Sequence, residues 1–149
     1  MSIGRVSRKE LSVAIAQMIP RIIQGVQLDF LAKRTITQTQ FFVLVAIHSH
    51  RRPSMRLLAQ NIKVSMPTIS GIVDRLVRAQ YVQRLNHPQD RRLVVVELTR
   101  KGQLIIDQFQ GAVARRWEEV LNSLEQNDLG SLQKIILKLK AALTAGGEP

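Results

Sequence analysis

Two adjacent arginines, Arg91 and Arg92, lie in the stretch HPQDRRLVVVELT, between turn-forming residues and a run of β-branched residues. A guanidinium group is permanently charged and presents a planar set of N–H donors, so it suits phosphate oxygens and the narrow minor groove of a duplex. The alternative is that exposed arginines serve only solubility. Whether the arginines contact a nucleic acid or only aid solubility depends on the secondary-structure elements that carry them.

Residues for catalysis or metal binding lack the spacing that those functions need. His48 and His50 form an H-x-H pair, but no thiol and no carboxylate accompanies them at a ligand spacing, and His87 is distant. No Gly-rich phosphate loop, nucleophile elbow or pair of catalytic carboxylates is present. We therefore predict no metal site, no cofactor and no enzymatic activity.

Positive charge is concentrated in the middle of the chain. The 149 residues include 22 Lys and Arg against 11 Asp and Glu, for a net charge of +11. Residues 51–101 alone hold 11 basic and three acidic residues, a net charge of +8. A field of one sign over a third of the chain favours a polyanionic partner. A merely solvated basic surface is the alternative.

Length and composition predict a single domain, or one domain plus a helical extension, over residues 1–149. The chain has no cysteine, no signal-peptide pattern and no apolar run that approaches the ~20 residues of a membrane span. We therefore expect a cytoplasmic protein without a membrane partner.

Capping residues and apolar periodicity predict several helices. Apolar residues three or four apart between Glu10 and Phe30 predict an amphipathic helix, which Pro20 should kink or divide. Thr37 and Gln40 form a capping box before the next helix. Ser54 and Ser65 then begin two short helices, which together predict a helix-turn-helix. The outer face of the second short helix would carry Met66, Pro67, Thr68, Ser70, Gly71, Arg75 and Arg78.

The segments YVQRL and LVVVEL, joined by NHPQDR, predict a β-hairpin, and two further helices follow it. The predicted fold is mainly α with a small β-hairpin wing. It has a winged helix-turn-helix core over residues 37–100 and long terminal helical regions over residues 8–34 and 101–145. In such a unit the second helix of the helix-turn-helix lies in the DNA major groove, and the hairpin reaches the neighbouring groove or backbone.

The stretch VSMPTISGIVDRLVRAQYVQRLNHPQDRRLVVVELTRKG is similar to the core signature of the multiple antibiotic resistance regulator (MarR) family, with its VDRL helix, DRR wing and LT-x-KG sequence. The resemblance extends over almost the whole chain. It implies a homodimer joined by its terminal helices, a palindromic operator, and transcriptional regulation, most often repression relieved by a small phenolic or anionic ligand.

Two positions depart from expectation. Members of the family usually have Gly after the recognition helix, where a left-handed residue ends it, but this chain has Gln80. We therefore expect a slightly strained cap or a cap of another type. Gly71 lies within a helix, at a cost of about 1 kcal/mol against Ala, and either permits close approach to DNA or is incidental.

The site residues receive separate roles. Thr68 and Ser70, with Ser65 and Pro67, would face base edges, although Ser65 equally fits pure capping. Arg75 and Arg78, and more weakly Arg56, would meet phosphates. Adjacent residues on an extended segment point to opposite sides, and the resemblance assigns Arg92 to the minor groove, which leaves Arg91 a phosphate or an ion pair. Asp74 and Asp90 would orient these arginines.

Two other classes of function remain open from the sequence. An architectural protein that binds DNA with weak specificity and has no effector would share the same basic segment. A winged helix used only for protein contacts is disfavoured by the net charge of +8 over residues 51–101.

Overall fold

The computed structural model describes residues 6–90 and 92–145. These residues form six helices and one antiparallel hairpin, which confirms the predicted fold class. In chain order the elements are α1 (Arg8–Ala32), α2 (Gln38–His50), α3 (Met55–Ile62), α4 (Met66–Arg78), β1 (Val82–Asn86), β2 (Val94–Leu98), α5 (Arg100–Leu121) and α6 (Gln126–Ala145).

Local hydrogen bonds begin the three central helices where the sequence predicts. Thr37 and Gln40 form a reciprocal capping box at the start of α2. The Ser54 hydroxyl accepts the Leu57 N–H at 3.2 Å before α3, and Ser65 caps α4 in the same way. Because each cap satisfies N–H groups that a helix leaves unpaired, the helix starts follow from the local sequence.

The hairpin packs against helices α2, α3 and α4. Its register pairs Val82 with Leu98 and Asn86 with Val94, and Ser54 forms an isolated bridge with Val95. Val82 and Val96 are buried on one face and Val95 on the other, while the turn between the strands lies at the surface. The helix-turn-helix and the hairpin therefore share one core.

Backbone contacts divide the chain into a first unit, Met1–Val113, and a second unit, Ala114–Pro149. The core of the first unit consists of aliphatic side chains from α2, α3, α4 and the hairpin. Its fully buried members include Val43, Leu44, Ile47, Leu58, Ile69, Val73, Leu76, Val82 and Val96. Phe30, Phe41 and Phe109 add an aromatic cluster in which Phe109 contacts both other rings edge-on.

The structure bears on two predictions for helix α1. Pro20 lies inside it and does not divide it, which leaves a kink as the predicted effect of this proline. Because Pro20 and Ala16 are both exposed, water can satisfy the carbonyl that the proline leaves without a partner.

From Leu11 to Leu28 the only charged residue is Arg21, so α1 is long and apolar enough to count as a candidate membrane span. The expectation that no run approaches this length is therefore wrong.

The second unit, described as far as residue 145, consists of the end of α5 and helix α6. None of the described side chains of α6 is buried, and Leu139 and Leu143 are 50% and 78% exposed. The division of the chain into a DNA-binding core and terminal dimerisation regions stays a prediction.

Candidate nucleic-acid interface

Helix α4 buries one face and exposes the other. Ile69, Val73 and Leu76 enter the core with almost no exposed surface. The opposite face comprises the exposed Met66, Pro67, Thr68, Arg75 and Arg78 and the partly exposed Ser70 and Gly71. The sequence therefore predicted correctly which residues face outward.

The start of α4 presents hydroxyl groups that are already ordered. The Ser65 hydroxyl accepts the Thr68 N–H at 3.3 Å, and the two side-chain oxygens lie 2.8 Å apart. Ser65 thus caps α4, as one of its two predicted roles required. Ser65 and Thr68 are both exposed. A Cβ added at Gly71 would meet no atom of the described chain within 4 Å, so internal packing does not require this glycine.

The end of α4 keeps the left-handed geometry although the residue there is glutamine. Gln80 has a φ of 63°. The N–H of Gln80 donates to the Val77 carbonyl, and that of Tyr81 donates to the Leu76 carbonyl, each at 2.9 Å. These two hydrogen bonds form the complete Schellman motif. Of the two expected alternatives, the cap is therefore the strained one, because a non-glycine residue, Gln80, adopts the left-handed conformation.

Residues of the LTRKG segment, to which the sequence analysis assigned no role, tie down this end of α4. Lys101 Nζ donates to the Ala79 carbonyl at 2.8 Å and lies over the Tyr81 ring. A Cβ at Gly102 would lie 2.0 Å from the Tyr81 carbonyl oxygen, so only glycine fits. The similarity of this segment to the LT-x-KG sequence of the family was the one signal in the sequence for such a role. The contacts themselves join residues about 20 positions apart, so local spacing does not reveal them.

The wing turn between β1 and β2 is closed by its own residues. The His87 N–H donates to the Leu93 carbonyl at 2.8 Å, and the Arg92 N–H donates to Asp90 Oδ1 at 3.0 Å. The Asp90 carboxylate therefore shapes the turn through a backbone contact, while the Arg92 side chain is exposed. Arg91 lies outside the described residues, so the predicted division of roles between the two arginines stays a prediction.

Asp74 pairs with Arg84, a residue that the sequence analysis did not single out. Arg84 Nη1 on β1 lies 2.5 Å from Asp74 Oδ1 on α4. Within the described chain, Asp74 thus orients a strand residue and not the described wing arginine, Arg92, which corrects the predicted role. The pair links the recognition helix directly to the hairpin.

The other described arginines of this surface form no ion pair with a carboxylate of the described chain. The ion pairs of the described residues are Arg52–Glu97, Arg84–Asp74 and Arg116–Glu119. Arg56, Arg75, Arg78 and Arg92 are exposed and belong to none of them. Their charges are therefore available to a polyanion.

An exposed helix after a tight turn, bonded to a hairpin with an arginine at its turn, defines a winged helix-turn-helix protein. The sequence profile of the MarR family matches residues 36–94. The chain is 32% identical over 104 residues to the HTH-type transcriptional repressor NicR of Pseudomonas putida, and the aligned part covers 70% of this chain and 66% of that protein. Over residues 36–94 the chain therefore matches the MarR family, whose members are transcriptional regulators.

Solved structures support the same fold. The transcriptional regulator Tm0710 from Thermotoga maritima superposes with a TM-score of 0.75 over 93% of this chain and 94% of its own, at 24% identity. A mutant MepR of S. aureus bound to an oligodeoxyribonucleotide superposes with a TM-score of 0.63 over 93% and 99% of the two chains, at 18% identity. The chain spans 66%, 65% and 56% of the lengths of three curated relatives that it matches.

Proposed function

We propose that this protein is a sequence-specific DNA-binding transcriptional regulator, a homodimeric repressor that binds a palindromic operator in the cytoplasm and is released by a small ligand. The observation that carries the proposal is the exposed face of α4, with hydroxyl groups at its start and arginines farther along that form no ion pair within the described chain. The oligodeoxyribonucleotide bound to the similar MepR supports the choice of partner.

The two ends of the recognition helix would have different tasks. Thr68 and Ser70 would contact base edges, where short hydroxyl groups and a threonine methyl can discriminate between bases. Arg75 and Arg78 would contact phosphates, which position a protein without specifying sequence. Arg92 would enter the minor groove beside the recognition helix, where a narrow groove concentrates negative potential.

The exposed apolar faces of the terminal helices support a homodimer. Leu11 and Ile15 on α1, and Leu139 and Leu143 on α6, are all exposed in the single chain. Apolar surface of this extent on a charged protein requires a covering partner. A second copy of the chain would supply such a partner for each helix, so a membrane is not needed to explain the composition of α1.

A footprint on DNA from the protein's own promoter region tests the proposed regulator. We expect a discrete protected site with two inverted half-sites about one helical turn apart, because a two-fold symmetric dimer places its recognition helices in successive major grooves. Diffuse protection without a preferred site would instead favour an architectural protein.

Salt dependence tests whether the basic segment forms the contact surface. If each subunit neutralises about three to five phosphates, log K plotted against log[salt] should fall with a slope of roughly −5 to −9 for the dimer. A slope shallower than about −2 would show that residues 51–101 do not form the contact surface.

A further inference from the structure

Gly71 lies near the middle of the exposed face of α4. At about 100° per helical residue, it lies about 160° around the helix from Val73 and about 140° from Leu76, which are both buried in the core. Pro67 precedes it by one turn and Arg75 follows it by one turn, and both are exposed. The face that we propose to enter DNA therefore has one central position without a side chain, between two positions that carry one.

The fold itself does not require a glycine at this position. A Cβ at residue 71 would make no contact within 4 Å beyond the helix backbone, and the residue does not have a positive φ. Gly102 is the contrast, because a Cβ there would lie 2.0 Å from the Tyr81 carbonyl oxygen. Glycine within a helix lowers the equilibrium constant for folding about fivefold relative to alanine. The chain thus loses stability at Gly71 without any gain in its own packing, while the helix backbone becomes accessible to a close neighbour.

The backbone at Gly71 offers no free hydrogen-bond donor to a base. Gly71 is the sixth residue of α4, so its N–H donates within the helix. A base edge that presents only polar atoms would lose water against this backbone without regaining a hydrogen bond, which is unfavourable. The apolar group that bases present in the major groove is the C5 methyl group of thymine. A thymine methyl group therefore suits the exposed backbone of Gly71 better than any polar edge.

The residues one turn before Gly71 suit the same group. Pro67 contributes an aliphatic ring, and Thr68 contributes a methyl group beside its hydroxyl group. The Thr68 hydroxyl lies 2.8 Å from that of Ser65, and this hydrogen bond holds the Thr68 side chain in one rotamer. Residues 66–74 include no Arg, Lys, Asn or Gln, the side chains that form bidentate hydrogen bonds with guanine or adenine. The first two turns of α4 therefore favour apolar contacts with bases.

We propose that Gly71 is a specificity-determining residue, whose exposed backbone receives the C5 methyl group of a thymine in each half-site of the operator. Thr68 and Pro67 cover the sides of this methyl group. The inference rests on the proposed function, because it takes α4 to lie in the major groove. It adds the chemical class of base that this part of the helix reads, which is thymine or, by the same chemistry, 5-methylcytosine.

Operator duplexes that contain deoxyuridine test whether a methyl group is read. The probes carry the footprinted operator, with one symmetric pair of thymidines at a time replaced by deoxyuridine, which lacks only the methyl group. We expect one pair to weaken binding about 15-fold, which is about fourfold per half-site for the burial of one methyl group. Where cytosine replaces that thymine, 5-methylcytosine should bind more tightly than unmodified cytosine. If no replacement changes the affinity by more than about twofold, this inference is overturned while the proposed regulator stands.

The variant Gly71→Ala places a methyl group where we expect that of thymine. Because the fold has room for it, urea unfolding should show a more stable protein, with the equilibrium constant for folding raised about fivefold. Operator affinity should fall at least about tenfold, because the two methyl groups compete for one space. Affinity for the sensitive deoxyuridine operator should fall less, so the preference for thymine should be lost. A folded Gly71→Ala chain that keeps the full preference for thymine would overturn the assignment.

Gly25→Ala is the matched control. Gly25 is also a helix glycine with open space around a Cβ, but it lies on α1, outside the basic segment 51–101. We expect a similar gain in stability and an unchanged preference for thymine over deoxyuridine, a ratio that does not depend on the strength of the dimer. Loss of this preference in both variants would show a general effect and overturn the role of Gly71. Diffuse protection in the footprint, without a discrete operator, would instead contradict the proposed function, and this inference with it.

Discussion

At the scale of single residues, exposed side chains of similar type have different environments. Arg84 is paired with Asp74 and Arg52 with Glu97, whereas Arg75, Arg78 and Arg92 form no ion pair within the described chain. An arginine already paired with a carboxylate must lose that partner before it binds a phosphate fully. The unpaired arginines are therefore the ones for which we expect the largest effects on DNA affinity.

Substitution of Arg92 should weaken operator binding without harm to the fold. We expect Arg92→Ala to cost about 1–3 kcal/mol of binding free energy, with part of the loss dependent on A·T content beneath the wing. Stability should be unchanged because the side chain is exposed at a turn. The measurement is a titration against operator and random duplexes, with Arg91→Ala as the rival assignment. Unchanged operator affinity in both folded variants would show that the wing is not in the groove.

The Asp74–Arg84 pair should affect specificity more than stability. Asp74→Asn should alter the free energy of unfolding by less than about 1 kcal/mol, because the pair is partly exposed. Affinity for random DNA should rise with the loss of a negative charge, while the ratio of operator to random affinity should fall roughly three- to fivefold. Glu119→Gln, which breaks the exposed Arg116–Glu119 pair in the second unit, is the control. An unchanged ratio would mean that the pair does not orient the wing.

At the scale of elements, the position of the recognition helix depends on how it ends. The hydrogen bonds of the left-handed cap at Gln80, the Lys101 side chain and the close contact at Gly102 all act on residues 79–81. These contacts connect the end of α4 to the start of α5. The contacts therefore set the orientation of the exposed face of α4 relative to the start of α5.

Relief of the strain at Gln80 should stabilise the protein. Glycine adopts a positive φ without a steric penalty, so Gln80→Gly should raise the free energy of unfolding by about 0.5–1 kcal/mol. Ala79→Gly is the neighbouring control, and it should lower stability, because Ala79 is in the right-handed region. Urea unfolding at a fixed protein concentration measures both effects. A less stable Gln80→Gly protein would contradict the strained-cap interpretation.

At the scale of the whole molecule, charge and apolar surface lie in different parts of the sequence. Residues 51–101 carry most of the net charge, whereas the exposed apolar residues of α1 and α6 belong to the ends of the chain. This distribution suits a protein that binds DNA with its centre and a second copy of itself with its ends. It also lets the two contacts be tested separately.

Removal or alteration of α6 should abolish the dimer. A chain truncated after Leu124 should be monomeric or insoluble, and a soluble, dimeric truncation in sedimentation analysis would refute the proposal. The double variant Leu139→Glu and Leu143→Glu is a milder test. It should raise the dissociation constant of the dimer by at least about 100-fold, since each leucine would lose burial at the interface. Gln133→Glu adds one of the two negative charges, at an exposed polar position of α6, and should leave the dimer intact.

The sequence by itself determined where the central helices begin and which face of α4 is exposed. Those features depend on hydrogen bonds within three residues, as at Ser54 and Ser65, and on apolar spacing along one helix. The resemblance of the segment around VDRL and DRR also identified the family, because that similarity lies in the order of residues along the chain. Features that depend on residues close together in the chain can be predicted from the sequence alone.

Only the tertiary structure decided which charged groups meet. Asp74 pairs with Arg84, ten positions away. Glu97 accepts hydrogen bonds from Gln83 and Arg52, which belong to two other segments. The tolerance of Pro20 inside α1 likewise depends on its exposure, and the left-handed conformation of Gln80 on the hydrogen bonds that close around it. Each outcome is set by the packing of elements against one another, and the spacing of residues along a single element does not encode that packing.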